Sequence, residues 1–217
     1  AGRDAAAAAL PHRLRTAMDQ LSLRGLDPAG DRGPVPLERV CFLDLETTGL
    51  GCTPVFLIGL LLVRNDEILC RQLLARTYAE ETSIVEAYGE IAAATDMVVT
   101  FNGKSFDVPF LRTRAAATGV DLPVVDRHLD LLHVSRRVFG KQLPNCKLQT
   151  LERHVCGRRR GDDVPGAEIP RVYHDFVRSG DARMIARILK HNLHDLVTLA
   201  DLTVRVCSPE ASGPRLR

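Results

Sequence analysis

Phe42-Leu-Asp-Leu-Glu-Thr-Thr-Gly-Leu50 is the stretch on which the reading of this chain turns. Val40 to Leu45 is mostly apolar, the pattern of a buried strand. Side chains two apart on a strand share a face, so Asp44 and Glu46 point the same way at its end. Two carboxylates that close raise each other's proton affinity unless a cation neutralises them. A hard divalent cation bound through oxygen is the natural remedy. A bare Asp-x-Glu is also common where a strand has simply reached solvent. The next residues favour ligands: Thr47-Thr48-Gly49-Leu50 is a glycine-containing turn that lets backbone come close to a bound molecule.

Downstream, Val55–Val63 reads as a second buried strand. Asn65-Asp66 is turn chemistry, and Ile68–Leu74 is a third strand, hairpin-linked to the second. A helix opens near Thr82 with Ile84, Val85, Tyr88, Ile91 and Ala92 at helical spacing. Met97–Phe101 is a fourth strand, broken at Asn102-Gly103. A second helix starts around Asp107–Pro109, where proline is tolerated, and ends near Gly119. Val124–Leu132 contains a fifth strand. The pattern is helical from Lys147, interrupted over Gly157–Pro170, and a last helix runs from about Asp181 to Val206. A hairpin-linked trio followed by alternation predicts an α/β fold, a mixed sheet with helices on its faces.

The chain has 217 residues, 45% of them hydrophobic, enough for one domain with a good core. Residues 1–35 read as a helical and linker extension, with a basic Ala-rich helix broken by Pro11. The domain proper spans 36–207, and 208–217 is a loose tail. The longest apolar run, Val55–Val63, is far short of the roughly 20 residues a membrane span needs. Six cysteines, none in a Cys-x-x-Cys pair, suit reduced thiols and a cytoplasmic compartment. Cys146, His154 and Cys156 match no common zinc spacing. The formal net charge of +2 is too mild to imply nucleic acid by itself.

Two more acids stand where chemistry needs them. Asp107 opens a helix just after a buried strand, a place where a plain cap is the ordinary role. Asp195 sits in the last helix at the edge of an apolar stripe (Ile185, Ile188, Leu189, Leu193, Leu196, Ala200), so its charge is partly buried and needs a partner. His191, four residues earlier, shares its face, Asn192 lies close to that face, and His194 points about 100° away. Four acids from three distant segments make a two-metal site plausible, in which paired ions clamp the attacking and leaving oxygens of a phosphate.

Three segments carry a resemblance. Phe42–Leu50, Thr100-Phe-Asn-Gly-Lys-Ser-Phe-Asp-Val-Pro-Phe-Leu111 and His191-Asn-Leu-His-Asp-Leu-Val-Thr-Leu199 resemble, in order, the motifs of the DEDD 3′–5′ exonucleases of the ribonuclease H-like superfamily. Gly161-Asp-Asp-Val-Pro-Gly-Ala-Glu-Ile-Pro-Arg-Val-Tyr-His-Asp-Phe176 looks like the YprB-like branch. The resemblance implies a five-stranded mixed sheet with the second strand antiparallel to the rest. It implies Asp44, Glu46, Asp107 and Asp195 as ligands of two ions, Mg²⁺ or Mn²⁺, and Thr47, Asn102 and Phe106 as contacts to the substrate end. Exonucleases of this class carry a general base, a His five residues or a Tyr four residues before the last Asp. Here a histidine, His191, stands at the tyrosine spacing, and it can take a proton near neutral pH.

From Arg136 to Arg160 eight basic residues face a single acid, Glu152, a local charge of +7. Such a run beside an acidic site suits phosphodiester binding, though a solvated face is its default reading. Lys147 from this run, and Asn192, complete the expected substrate contacts. The expected activity is hydrolysis of single-stranded DNA or RNA from its 3′ end. The alternatives are a ribonuclease H-like endonuclease, or a catalytically silent nucleic-acid-binding module on the same fold. A fused or partner domain is left open.

Overall fold

The computed structural model describes residues 9–23, 33–161 and 163–207. Five strands, β1 (Val40–Thr47), β2 (Val55–Arg64), β3 (Glu67–Leu74), β4 (Met97–Thr100) and β5 (Arg127–Asp130), form one sheet ordered β3-β2-β1-β4-β5. β2 runs antiparallel to β1 and β3, while β1, β4 and β5 are mutually parallel. This is the mixed sheet expected, with the second strand reversed. Among the described residues seven α-helices lie around it: α1 (Leu10–Leu23), α2 (Glu81–Ala92), α3 (Asp107–Thr118), α4 (Leu131–Phe139), α5 (Leu148–His154), α6 (Ile169–Ser179) and α7 (Arg183–Cys207). No helix of the described residues is long and apolar enough to cross a membrane. All six cysteines are free thiols.

Strand alternation divides the core in two. On β1, Val40 and Phe42 enter one apolar cluster together with Leu196 and Leu199 of α7. Cys41, Leu43 and Leu45 enter the other, with Val85 of α2 and Leu111 of α3. Asp44 and Glu46 therefore continue the Val40–Phe42 face, the one α7 covers. The carboxylates stand where a hydrophobic sheet face runs out beneath a helix.

α1 departs from the reading of residues 1–35 as an extension outside the domain. Pro11 sits in its first turn, where proline leaves the helix intact. Leu14, Ala17, Met18 and Leu21 are buried in the cluster that holds Phe42. The boundary at Pro36 thus cuts through a shared core. Residues 25–32 of the expected linker and the tail from 208 lie outside the described residues. α4 was also not read from the sequence. β5 has only four residues and passes straight into it, with the Asp130 side chain accepting the N–H of Leu132 at 3.0 Å as its cap.

One glycine sets the distance between α7 and the sheet. Gly59 on β2 is paired with Asp44 on β1. A Cβ on Gly59 would stand 2.1–2.6 Å from the side-chain amide of Asn192, which is fully buried there. No side chain larger than hydrogen leaves room for that amide.

Gly59→Ala is expected to cost about 1–3 kcal/mol through overpacking, read by urea denaturation. An unchanged midpoint would contradict the close approach. Leu14→Ala is expected to cost about 2–5 kcal/mol, and a change below about 0.5 kcal/mol would mean that α1 adds nothing to the core.

Candidate active site

The four acids singled out in the sequence meet at one end of the sheet. Asp44 and Glu46 stand on the last turns of the pleat of β1. Asp107 is the first residue of α3 and 5% exposed; the backbone N–H groups of Asp107 itself and of Leu45 on β1 act on its carboxylate and favour its charged form. Asp195 comes down from α7 and is 8% exposed. Their proximity shows in their protonation. Burial, then the charges of Asp195, Glu46 and Asp107, hold the Asp44 carboxyl well above the usual carboxylate range, against the hydrogen bond from Asn192. Burial pushes Glu46 up to about 8, with Asp195, Asp107 and Asp163 adding to the rise and His191 opposing it. Burial pushes Asp107 up to about 7 despite its two backbone donors.

Asn192 locks this cluster to α7. Its Nδ2 donates to Asp44 Oδ2 at 2.8 Å and to the Asp44 carbonyl at 3.2 Å, while Gln72 of β3 donates to its Oδ1 at 2.9 Å. With no exposed surface, Asn192 orients Asp44 and lies out of reach of a substrate, which corrects its reading as a substrate contact. The amide fills the slot left by Gly59 instead of facing the recess.

His191 lies between two carboxylates on opposite ring nitrogens. Nδ1 is 2.6 Å from Asp163 Oδ1; Nε2 is 3.3 Å from Asp195 Oδ2 and 3.9 Å from Glu46. Burial acts to lower its pKa, but Asp195, Asp163 and Glu46 prevail and raise it to about 9. Asp163 itself is held below the usual range: burial works against this, and the bond to His191 and the charges of His191 and Arg160 outweigh it. Arg160 closes the ring. Its Nη2 bonds Asp195 Oδ1, its Nε bonds Glu152 at 2.6 Å, and Nη1 lies 3.4 Å from Asp163. The Arg160 side chain is only 7% exposed. Of the basic run read as phosphate contacts, this member is committed to acids inside the protein.

Of the remaining expected contacts, three lie on the segments that carry the acids, and Lys147 precedes α5. Thr47 is half-buried and spends its hydroxyl on the Gly49 carbonyl at 2.8 Å, shaping the turn that carries exposed Leu50. Asn102 is exposed with φ +65°, and its N–H, like that of Lys104, bonds the buried Asp130 carboxylate, at 2.8 and 3.1 Å. Phe106 is half-buried and packs on Phe110 with ring centroids 5.3 Å apart. Lys147 is exposed just before α5.

Three residues escaped the sequence reading. Asp130 fixes the loop that delivers Asp107. Asp163 orients His191. Glu152 shares Arg160. The one available signal was the Asp163-Val-Pro-Gly-Ala-Glu-Ile-Pro-Arg-Val-Tyr173 segment. Tyr173 stacks on Phe56 of β2 with centroids 4.0 Å apart, which anchors this segment and hence Asp163 against the sheet.

As the side chains stand, no three His, Cys, Asp or Glu groups among the described residues are arranged to hold one metal ion. Both Asp195 oxygens are taken, one by Arg160 and one by His191. The donor set nevertheless fits a hard divalent cation. It is all oxygen, holds no thiol, and has an excess of buried negative charge that keeps protons on Asp44, Glu46 and Asp107.

Comparison with known proteins agrees with the fold. The family model RNase_H_2, of the RNase_H superfamily, matches residues 41–207. The uncharacterized protein YprB of Bacillus subtilis (strain 168) is 32% identical over 170 residues, 76% of this chain and 41% of YprB. A DNA polymerase of Pyrococcus glycovorans is 22% identical over 223 residues, covering 86% of this chain and 28% of the polymerase. The family B DNA polymerase from the hyperthermophilic archaeon Pyrobaculum calidifontis superposes with a TM-score of 0.61 at 18% identity, over 79% of this chain and 25% of that one, a likeness of fold. The chain spans well under half the length of each of these proteins. With its family model covering both outer motifs and everything between them, the chain belongs to the RNase H superfamily, in the RNase_H_2 family.

Proposed function

We propose that this chain is a divalent-metal-dependent nuclease that hydrolyses single-stranded nucleic acid from its 3′ end. The observation that carries the reading is the recess itself: four carboxylates from β1, α3 and α7, with a histidine whose two nitrogens face different acids. Membership of the RNase H superfamily and the resemblance of the three motifs to DEDD exonucleases support it. Free thiols agree with a reducing, cytoplasmic setting.

Asp44, Glu46, Asp107 and Asp195 would hold two ions, Mg²⁺ or Mn²⁺. When bound, such ions supply Lewis-acid stabilisation of the charge on the phosphate and the leaving oxygen. The chain's own groups do the rest. Asn192 keeps Asp44 aimed into the recess. Asp163 accepts a hydrogen bond from Nδ1–H of His191, which leaves Nε2 facing the carboxylates as the proton acceptor for an attacking water. Cations held by Asp195 and Glu46 would reduce the negative charge facing His191 and so favour its neutral form. Asn102 and Phe106, on the loop that leads into Asp107, would meet the terminal nucleotide, and the exposed Lys147 would meet a phosphate.

Replacing Asp107 by Asn tests the ligand role. Loss of a ligand should exceed the roughly 10–100-fold effect of losing an outer partner, so kcat is expected to fall by more than about a hundredfold. Metal-free thermal stability should hold or rise, because a buried like charge is gone. Cleavage at the parental rate contradicts the assignment, and cutting of 3′-blocked strands as fast as free ones makes the enzyme an endonuclease.

A pH series checks the electrostatics. Glu46, Asp107 and His191 all have folded pKa values above their unfolded ones, near 8, 7 and 9. The native state therefore binds more protons than the unfolded one, and its stability falls as pH rises through those values. Metal-free protein should melt at a progressively lower temperature from about pH 5 to about pH 9. Mg²⁺ or Mn²⁺ should raise the melting temperature, and by more at the alkaline end, because binding releases protons. A flat metal-free profile with no metal-induced rise contradicts the site.

A further inference from the structure

A groove of about 530 Å³ opens beside the carboxylate recess, between α5 and the segment that leads to Asp163. Its outer wall carries Thr150, Arg153, His154, Arg158 and Arg159, and its inner wall is Arg160 and Asp163, the same two residues that brace Asp195 and His191. The groove is thus continuous with the candidate active site.

Its charge is largely unspent. Arg153 and Arg159 are exposed and form no ion pair with any described residue. Arg158 reaches Asp201 at 3.8 Å and the Thr198 hydroxyl at 3.1 Å. That one carboxylate also serves Arg13 at 3.9 Å and Arg205 at 3.3 Å, three guanidinium groups to a single acid. Glu152, the acid of this wall, is consumed by buried Arg160. No Phe, Tyr or Trp lines the groove, so its lining is dominated by cations. Guanidinium forks suit a row of phosphates.

We propose that this groove binds the phosphodiester backbone of a single strand, holding the part of the chain that leads away from the end engaged at the carboxylates. It reads no sequence, because its contacts are to phosphate alone. The proposal takes its direction from the nuclease reading of the adjoining recess, but its charge and shape stand without it.

The test is binding of a 5′-fluorescein oligonucleotide, followed by anisotropy in EDTA so that no cleavage is required. For single strands the slope of log K against log salt is about −0.7 per phosphate contact. Arg153→Gln/Arg159→Gln should weaken binding and make the slope shallower by about 1.4. Arg153→Lys/Arg159→Lys should restore most of it, which separates charge from any change in folding. Unchanged affinity and slope in the Gln variant overturn the proposal. So does a polyglutamate peptide held as tightly as the oligonucleotide through the same two arginines. A chain that binds strands in this way and cuts none contradicts the nuclease reading alone. One that cuts yet binds equally with and without the arginines contradicts the groove alone.

Discussion

The structure depends on gathering four negative charges where water is scarce. Each carboxylate is tolerable singly, but together they oppose one another's ionisation, and burial compounds the cost. The fold must hold them together against that repulsion, and most polar contacts near the recess serve this end. Asn192 bonds Asp44, backbone amides bond Asp107, His191 lies against Asp195 and Glu46, and Arg160 lies against Asp195. These partners are a scaffold of partial compensation, and the carboxyl groups that still keep protons measure how far it falls short.

The scaffold reaches back into the fold. Gly59 lets α7 come close enough for Asn192 to reach β1, and Gln72 on β3 holds that amide from the other side. Asp130 ends β5, caps α4 and grips the loop from which Asp107 emerges. The Arg114–Glu81 ion pair, 2.7 Å long and nearly buried, joins α3 to α2, and Glu81 also accepts the N–H of Val55 at the start of β2. These contacts hold the elements that carry the carboxylates, which is how residues remote from the chemistry bear on it.

Much of this was legible in the sequence, for identifiable reasons. Strand parity alone put Asp44 and Glu46 on one face, and helical spacing put His191 beside Asp195. Long apolar runs marked β1 and β2. What stayed hidden depends on contacts between distant segments. Asn192 looked like a recess residue because helical angle does not report depth. Arg160 looked like one more surface cation, because charge runs do not say which member turns inward. Asp163 and Asp130 carry no pattern of their own, and only the loops that hold them give them partners. α4 was missed because a four-residue strand and a helix adjoin without a turn. α1 was set outside the domain because the Pro-, Gly- and Asp-rich stretch that follows it reads as a linker, and composition does not report that the helix before it packs back onto the core.

The central claim is that these carboxylates form one cation site. Isothermal titration of the protein with Mn²⁺ tests it most directly, comparing the parent chain with Asp44→Asn. Saturable binding in the parent that is abolished or greatly weakened in the variant is the predicted result. No binding by the parent, or equal binding by both, would contradict it.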